Sequence, residues 1–169
     1  MTSKLNYTVF NTAAGWIGIM ASHAGLLALT FPRPSPEQAV KELDIDPAQS
    51  TNAPQVFEDL AERFRIYFRG RRVNFPDKLD LSAATPFQHR VWQATRLIPF
   101  GETRSYRWVA EQIGIADASR AVGQALGRNP LPVIIPCHRV LTSNGKLGGF
   151  SGGLDMKERL LALEKKQGG

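Results

Sequence analysis

A single cysteine in 169 residues rules out an internal disulfide and a multi-cysteine metal site, so the fold must rest on an apolar core. The composition supplies one, with 43% hydrophobic and 21% charged residues, the balance of an ordinary globular protein. The length fits one medium domain or two small ones. The lone thiol, Cys137, follows the apolar run Val133-Ile134-Ile135 and sits in Pro136-Cys137-His138-Arg139-Val140. Two roles are open to it on these residues alone. Free cysteine is among the most buried residue types and packs as a small hydrophobe. Beside a histidine and an arginine it is also a candidate nucleophile, because a base or positive charge draws a thiol toward the reactive thiolate.

Charge is unevenly spread. Residues 1–84 carry nine Lys and Arg against nine Asp and Glu, whereas residues 85–169 carry twelve against six and hold all of the net +6. The second half therefore either meets a polyanion, nucleic acid first among them, or presents a solvated basic surface. No segment approaches the apolar length that spans a bilayer. The residues Met1–Tyr7 lack the apolar core of a secretory signal. The expected location is intracellular and reducing, cytoplasmic in a prokaryote, with no membrane partner.

The first half reads as its own unit, residues 1–80. Leu5, Tyr7 and Val9 alternate with polar residues as in a half-buried strand. Turn residues at 12–15 and 22–25 separate this run from Trp16–Ala21 and from Leu26–Phe31, which stops at Pro32. Three short strands with short turns predict an antiparallel meander. The polar, proline-rich stretch 32–54 is irregular or holds one short helix at Pro36–Leu43. Val56, Leu60, Phe64 and Phe68 then recur at helical spacing, with Phe57, Ala61 and Tyr67 widening the stripe. Asn52 or Gln55 is placed to cap this helix and Gly70 to end it. Arg69-Gly70-Arg71-Arg72 reads as a solvated helix terminus, and residues 77–84 as a linker.

The second half, residues 86–169, is mainly helical. Thr85-Pro86-Phe87-Gln88 combines a capping threonine, proline at the first helical position and a capping-box glutamine. Phe87, Val91, Ala94 and Ile98 form the buried stripe of that helix, with Trp92 beside it and Pro99-Phe100-Gly101 as its stop. His89 falls off the stripe. Ser105–Ile113, closed by Gly114, and a helix with Ala118, Ala121, Val122 and Ala125 inward make a helix-turn-helix pattern. Arg120, Gly123, Gln124, Gly127 and Arg128 are expected on the outer side. Each glycine is worth roughly 1 kcal/mol against alanine in a helix interior. With Ala121, these glycines slim one face, which suits a minor groove read without sequence preference.

The last segment assembles a pocket. Asn144-Gly145 marks a hairpin of type I′. Gly148-Gly149-Phe150-Ser151-Gly152-Gly153 lacks the ending of a phosphate loop, but its backbone can lie flat against a planar ligand with Phe150 stacking. Asp155 and Glu158 are placed to box a final helix with Met156, Leu160 and Leu163 inward. Glu164 is either a solvated charge or a carboxylate orienting His138.

In these motifs the chain resembles the O6-alkylguanine-DNA alkyltransferases. The likeness runs, in order, through Phe87-Gln88-His89-Arg90-Val91-Trp92, Ile98-Pro99-Phe100-Gly101-Glu102-Thr103, Ser105-Tyr106, Arg120-Ala121-Val122-Gly123, Asn129-Pro130, Pro136–Arg139 and Ser151-Gly152-Gly153. It implies an α/β (α+β) protein: a small N-terminal domain with an antiparallel sheet and helix, and a mainly helical C-terminal domain that binds double-stranded DNA containing O6-alkylguanine. It further implies base flipping, with Arg120 entering the gap in the stack. Thr103, Ser105, Ala121, Gly123 and Gln124 would join Arg120 on the DNA. Cys137, as thiolate, would take the alkyl group irreversibly, with His138 as base through a water, Glu164 orienting it, Tyr106 donating to guanine N3 and Asn129 bracing the turn. Val140, Phe150, Ser151, Gly152 and Leu126 would form the substrate pocket.

No cofactor is implied, since the protein itself accepts the group. No zinc is expected either, because residues 1–84 hold no cysteine and only His23. The chain departs from many members in having Phe150 before Ser-Gly-Gly, which keeps the ring but loses a phenolic hydroxyl. A monomer in solution is expected, with cooperative loading on DNA left open. Two rivals are a lesion-binding protein without transfer, against which Cys137 speaks, and a cysteine hydrolase, for which no oxyanion site is marked.

Overall fold

The computed structural model describes residues 4–150 and 152–165. The chain divides between Ser82 and Ala83 into two compact units. In the first unit, strands β1 (Leu5–Thr12), β2 (Gly15–Ser22) and β3 (Gly25–Leu29) form the antiparallel meander that the alternation predicts. The first turn closes locally, as the Thr12 hydroxyl donates to Gly15 O at 2.8 Å and accepts from Ala14 N at 3.1 Å.

A fourth strand, β4 (Ser50–Asn52), runs parallel beside β1, giving the order β3-β2-β1-β4. It lies in the polar stretch expected to be irregular. Three residues reading Ser-Thr-Asn carry no apolar pattern, and their backbone pairing alone holds them there.

The sheet is covered on both sides. Thr8, Phe10, Ile17, Ile19 and Ala21 are deeply buried on one face of the first two strands. The expected inward set of Leu5, Tyr7 and Val9 is half-buried on the opposite face. Helix α1 (Pro36–Leu43), capped by Ser35 at Gln38 N, packs on that face. Gly18 makes this approach possible: a Cβ there would sit 2.9 Å from Leu43 Cδ1 and 3.0 Å from Ala39 O. Helix α2 (Glu58–Phe68) takes the other face through Phe64, whose ring lies 5.9 Å from Phe10 and 4.7 Å from Phe75.

A 3-10 turn over Pro54–Phe57 precedes α2, so neither Asn52 nor Gln55 caps it, and Val56 is 54% exposed rather than inward. The expected linker is partly docked on its own unit: Asp77 pairs with Arg63 at 2.7 Å, and Leu26 N donates to Lys78 O at 2.9 Å.

The second unit starts on α3 (Pro86–Thr95), whose Thr85–Gln88 capping box forms as the residues predict. A short turn ends the helix at Thr95, ahead of the expected stop, and leaves Ile98 buried. Strand β5 (Arg104–Ser105) leads into α4 (Tyr106–Gln112). Gly114, at φ +82°, turns the chain toward α5 (Ser119–Gly127). Trp92 Nε1 donates to Ala125 O at 2.9 Å and fastens α5 to α3. The buried stripe of α5 is Val122, Ala125 and Leu126, with Ala118 and Ala121 only half-buried. Strand β6 (Val140–Leu141) pairs parallel with β5, and α6 (Leu154–Lys165) closes the unit.

The turn at 142–146 differs from the expected type I′. Only Gly145 has positive φ, at +80°; Gly145 N donates to Thr142 O and Thr142 N to Lys146 O. A three-residue loop of this kind places its left-handed residue last. No helix among the described residues is long and apolar enough to cross a membrane. Thr85→Ala removes the cap of α3 and should lower stability by about 1 kcal/mol, read as a shifted denaturation midpoint at unchanged slope.

Candidate active site

The Pro-Cys-His-Arg segment is a pair of tight turns. Pro136, at φ −80° and ψ 62°, is the centre of an inverse γ-turn in which Cys137 N donates to Ile135 O at 2.7 Å. The pyrrolidine ring holds φ near this value in advance. Cys137–Arg139 then forms one 3-10 turn, with Arg139 N bonded to Pro136 O at 2.9 Å. Three consecutive side chains on so tight a turn leave it in different directions. Upstream, Val133 has φ +74°, where a β-branched residue is strained. Ile135 N reaches back to Leu131 O at 2.8 Å and closes that bend.

Asn129 ties the bend to the sulfur. Its Nδ2 donates to Ile135 O at 2.8 Å and to Cys137 Sγ at 3.0 Å, and its Oδ1 accepts from Leu131 N at 2.8 Å. Cys137 is only 4% exposed, yet it stands on the wall of a cavity of about 700 Å³. Arg120, Gly123, Gln124 and Leu126 of α5 also line it, with Tyr106 at the head of α4 and Phe150 of the glycine-rich loop. Tyr106 Oη donates to Gly149 O at 3.3 Å. Gly148, at φ +69°, lies against the same ring, and a Cβ there would come within 2.9 Å of Tyr106 Oη.

Behind the sulfur lies a buried charge cluster. His138 Nε2 and Glu164 Oε2 are 2.6 Å apart, both side chains being at most 1% exposed. Arg139 donates from Nε to Glu164 Oε1 at 2.8 Å, from Nη2 to Oε2 at 3.1 Å and from Nη1 to Ile98 O at 2.7 Å. Gly101 N adds a further donor to Glu164 at 3.3 Å. Glu164 is thus a buried carboxylate rather than a solvated charge. Although burial opposes ionisation, the hydrogen bonds from His138 and Arg139 and the charge on Arg139 outweigh it and hold the carboxyl far below the usual range.

Burial also lowers the proton affinity of His138, against the pull of Glu164, and so favours the neutral ring. With Nε2 donating to the carboxylate, Nδ1 is left as the acceptor nitrogen, and it has no partner among the described residues. The thiol is raised, not drawn toward the thiolate as its flanking histidine and arginine would suggest. Burial pushes Cys137 up to about 11, although the Asn129 amide and the Lys157 charge pull it down. At neutral pH the resting sulfur is therefore protonated.

The structure brings Cys137, His138, Glu164, Asn129 and Tyr106 into one site, with Arg120, Gly123, Gln124, Leu126 and Phe150 around its cavity. Val140 and Gly152 do not line that cavity, and the Val140 carbonyl accepts from Lys157. Ser151 lies outside the described residues. Ser105 Oγ is occupied as the cap of α4, accepting from Trp108 N at 2.9 Å; Thr103 is exposed and Ala121 half-buried, both away from the cavity. Gly127 meets no atom within 4 Å of a built Cβ, so no packing within the unit demands a glycine there.

Sequence reasoning missed two residues, the Arg139 fork and Lys157. Lys157, Leu160 and Glu164 are the buried residues of α6, in place of the expected Met156, Leu160 and Leu163. Their i, i+3, i+7 spacing was the available signal, hidden because two of the three are charged.

Sequence profiles of "6-O-methylguanine DNA methyltransferase, ribonuclease-like domain" and "6-O-methylguanine DNA methyltransferase, DNA binding domain" match residues 5–81 and 86–166. The chain belongs to the 6-O-methylguanine DNA methyltransferase family. A "Methylated-DNA--protein-cysteine methyltransferase" of Mycolicibacterium paratuberculosis is 50% identical over 116 residues, 69% of this chain and 70% of the relative. Its namesake in Methanosarcina acetivorans is 39% identical over 158 residues, 94% and 97% of the two chains. The crystal structure of Mycobacterium tuberculosis OGT in complex with DNA superposes with a TM-score of 0.80 at 38% identity, covering 96% of this chain and 94% of that one.

The buried pair sets an acid limit. His138 and Glu164 both have folded-state proton affinities below their ordinary values of 6.5 and 4.5. Each therefore contributes stability that is complete above its ordinary value and lost as pH falls. Chemical denaturation should give constant stability between about pH 6.5 and 7.5, a decline below that range and a steeper one below about 4.5. Glu164→Gln should remove the lower step and, by stranding Arg139, lower stability at pH 7.5 by about 3–5 kcal/mol.

Proposed function

We infer that this chain is a single-use DNA-repair transferase that moves the alkyl group of O6-alkylguanine in duplex DNA onto Cys137. The observation that carries the reading is a nucleophile on a cavity wall, backed by a neutral histidine whose second nitrogen is held by a buried carboxylate. Residues 86–169 form the DNA-binding and transfer domain and residues 1–80 a separate N-terminal domain. The protein acts as a monomer.

The helix α5 meets the minor groove, where the small residues Ala121, Gly123 and Gly127 let backbone approach backbone. Arg120, exposed at the cavity rim, fills the gap left by the everted base. Unstacking takes a few kcal/mol and least for a poorly paired base, which favours the lesion. The purine lies against the wall that Tyr106 forms with the loop carrying Gly148, Gly149 and Phe150.

The resting thiol must then ionise. Its proton passes through a water to Nδ1 of His138, and Glu164 stabilises the imidazolium that results. The amide of Asn129, already on the sulfur, stabilises the thiolate. Sulfur attacks the alkyl carbon, the S–C bond forms as the C–O6 bond breaks, and the electron pair stays on guanine. The Tyr106 hydroxyl exchanges the Gly149 carbonyl for guanine N3 and meets the developing charge. The proton held by His138 returns to guanine. A thioether does not revert, so one chain repairs one lesion and needs no cofactor.

Mass spectrometry after incubation with a duplex holding O6-methylguanine should find one methyl group on Cys137. Unmodified protein that still binds the duplex would instead mark a lesion-binding protein. Cys137→Ser should retain duplex binding and gain no mass. Arg120→Ala should slow transfer from duplex by about 10–100-fold while transfer from the free alkylated base changes little, since flipping alone is impaired. Equal losses on both substrates would remove Arg120 from that role.

A further inference from the structure

Lys157 is fully buried on the inner face of α6, and no step of the transfer above employs it. Its ammonium donates to Val140 O at 2.8 Å, to Leu147 O, and to Gly149 O at 3.3 Å. An ammonium has three donors and no acceptor. Here each donor meets a carbonyl, one on the strand leaving the cysteine turn and two on the loop that walls the cavity. The rings of Tyr106 and Phe150 stand 5.7 Å from the same nitrogen, which fixes both against one cation. Burying an ammonium is unfavourable, and a methionine would fill the same space without that penalty. The charge is therefore retained for what it holds.

We propose that Lys157 is a positioning residue, a latch whose three hydrogen bonds draw the Leu147–Phe150 loop onto Tyr106 and so build the wall against which the base lies. The inference rests on the transferase reading. A neutral amine keeps only two donors and turns a lone pair toward a carbonyl, so losing the proton releases one arm of the latch. The same cation favours the Cys137 thiolate, which couples a closed loop to a reactive sulfur.

The groups facing Lys157 leave it a pH window of its own. Burial brings its proton affinity down to about 8. Tyr106 on α4 is raised above its ordinary 10.0, and Cys137 on the 3-10 turn stands near 11. His138 lies below 6.5 and Glu164 below 4.5.

The test compares wild type with Lys157→Met in single-turnover transfer from an O6-methylguanine duplex, at pH values from 7 to 9. Wild type should show a break in its pH–rate profile near pH 8. The variant, folded by circular dichroism, should be at least 100-fold slower and show no break. A folded variant with wild-type rate and break would overturn the proposal.

Should the variant not fold, hydrogen exchange on wild type decides. Protection of the amides of residues 142–150, corrected for intrinsic rates, should fall as pH rises through 8. Constant protection would overturn the latch. Wild-type protein that gains no methyl group would instead defeat the transferase reading, and the exchange measurement would still judge the latch.

Discussion

The hydrogen bonds that converge on the Glu164 carboxylate hold the Pro-Cys-His-Arg turn to the last helix. His138 and Arg139 are consecutive in sequence and reach one carboxylate from two directions, while Gly101 N and Ile98 O tie in the segment after α3. A charge this deeply buried is tolerated only because its partners are ionic or well aligned. That requirement fixes the orientation of the histidine, and with it which nitrogen is left as the acceptor. Cys137 gains its direction from the same turn, since side chains that share so tight a bend cannot point the same way.

The sulfur shows how burial and reactivity are reconciled. Removing a thiol from water disfavours its anion, and here that effect prevails at rest. In the proposed transfer a protected thiol suits a nucleophile used once, because ionisation would then accompany base docking and proton transfer to His138. Asn129 and Lys157 oppose the burial from two sides, one through a dipole on the sulfur and the other through charge. Neither is strong enough to keep a standing thiolate.

Much of the first unit and of α3 was legible because local chemistry and final structure agree there. The alternation in β1 to β3, the proline-led α1 and the Thr85–Gln88 capping box each depend on neighbours within a few residues. Where the expectation failed, a distant partner had intervened. β4 exists only through its pairing with β1, and the deeply buried face of β1 is the one that meets Phe64. On α6 the helical period was clear, but the inward stripe was assigned to apolar residues. The real stripe carries Lys157 and Glu164, made tolerable by carbonyls and by Arg139.

The amino-acid sequence by itself determined most of the elements, the helix-turn-helix, the reactive turn and part of the set of residues around it, since these follow from period, caps and motif order. Tertiary structure alone decided which charges are buried, that the sulfur rests protonated, and that a lysine holds the glycine-rich loop. Those outcomes turn on solvation and on partners 8 to 63 positions away in the chain, and neither is written in any local pattern.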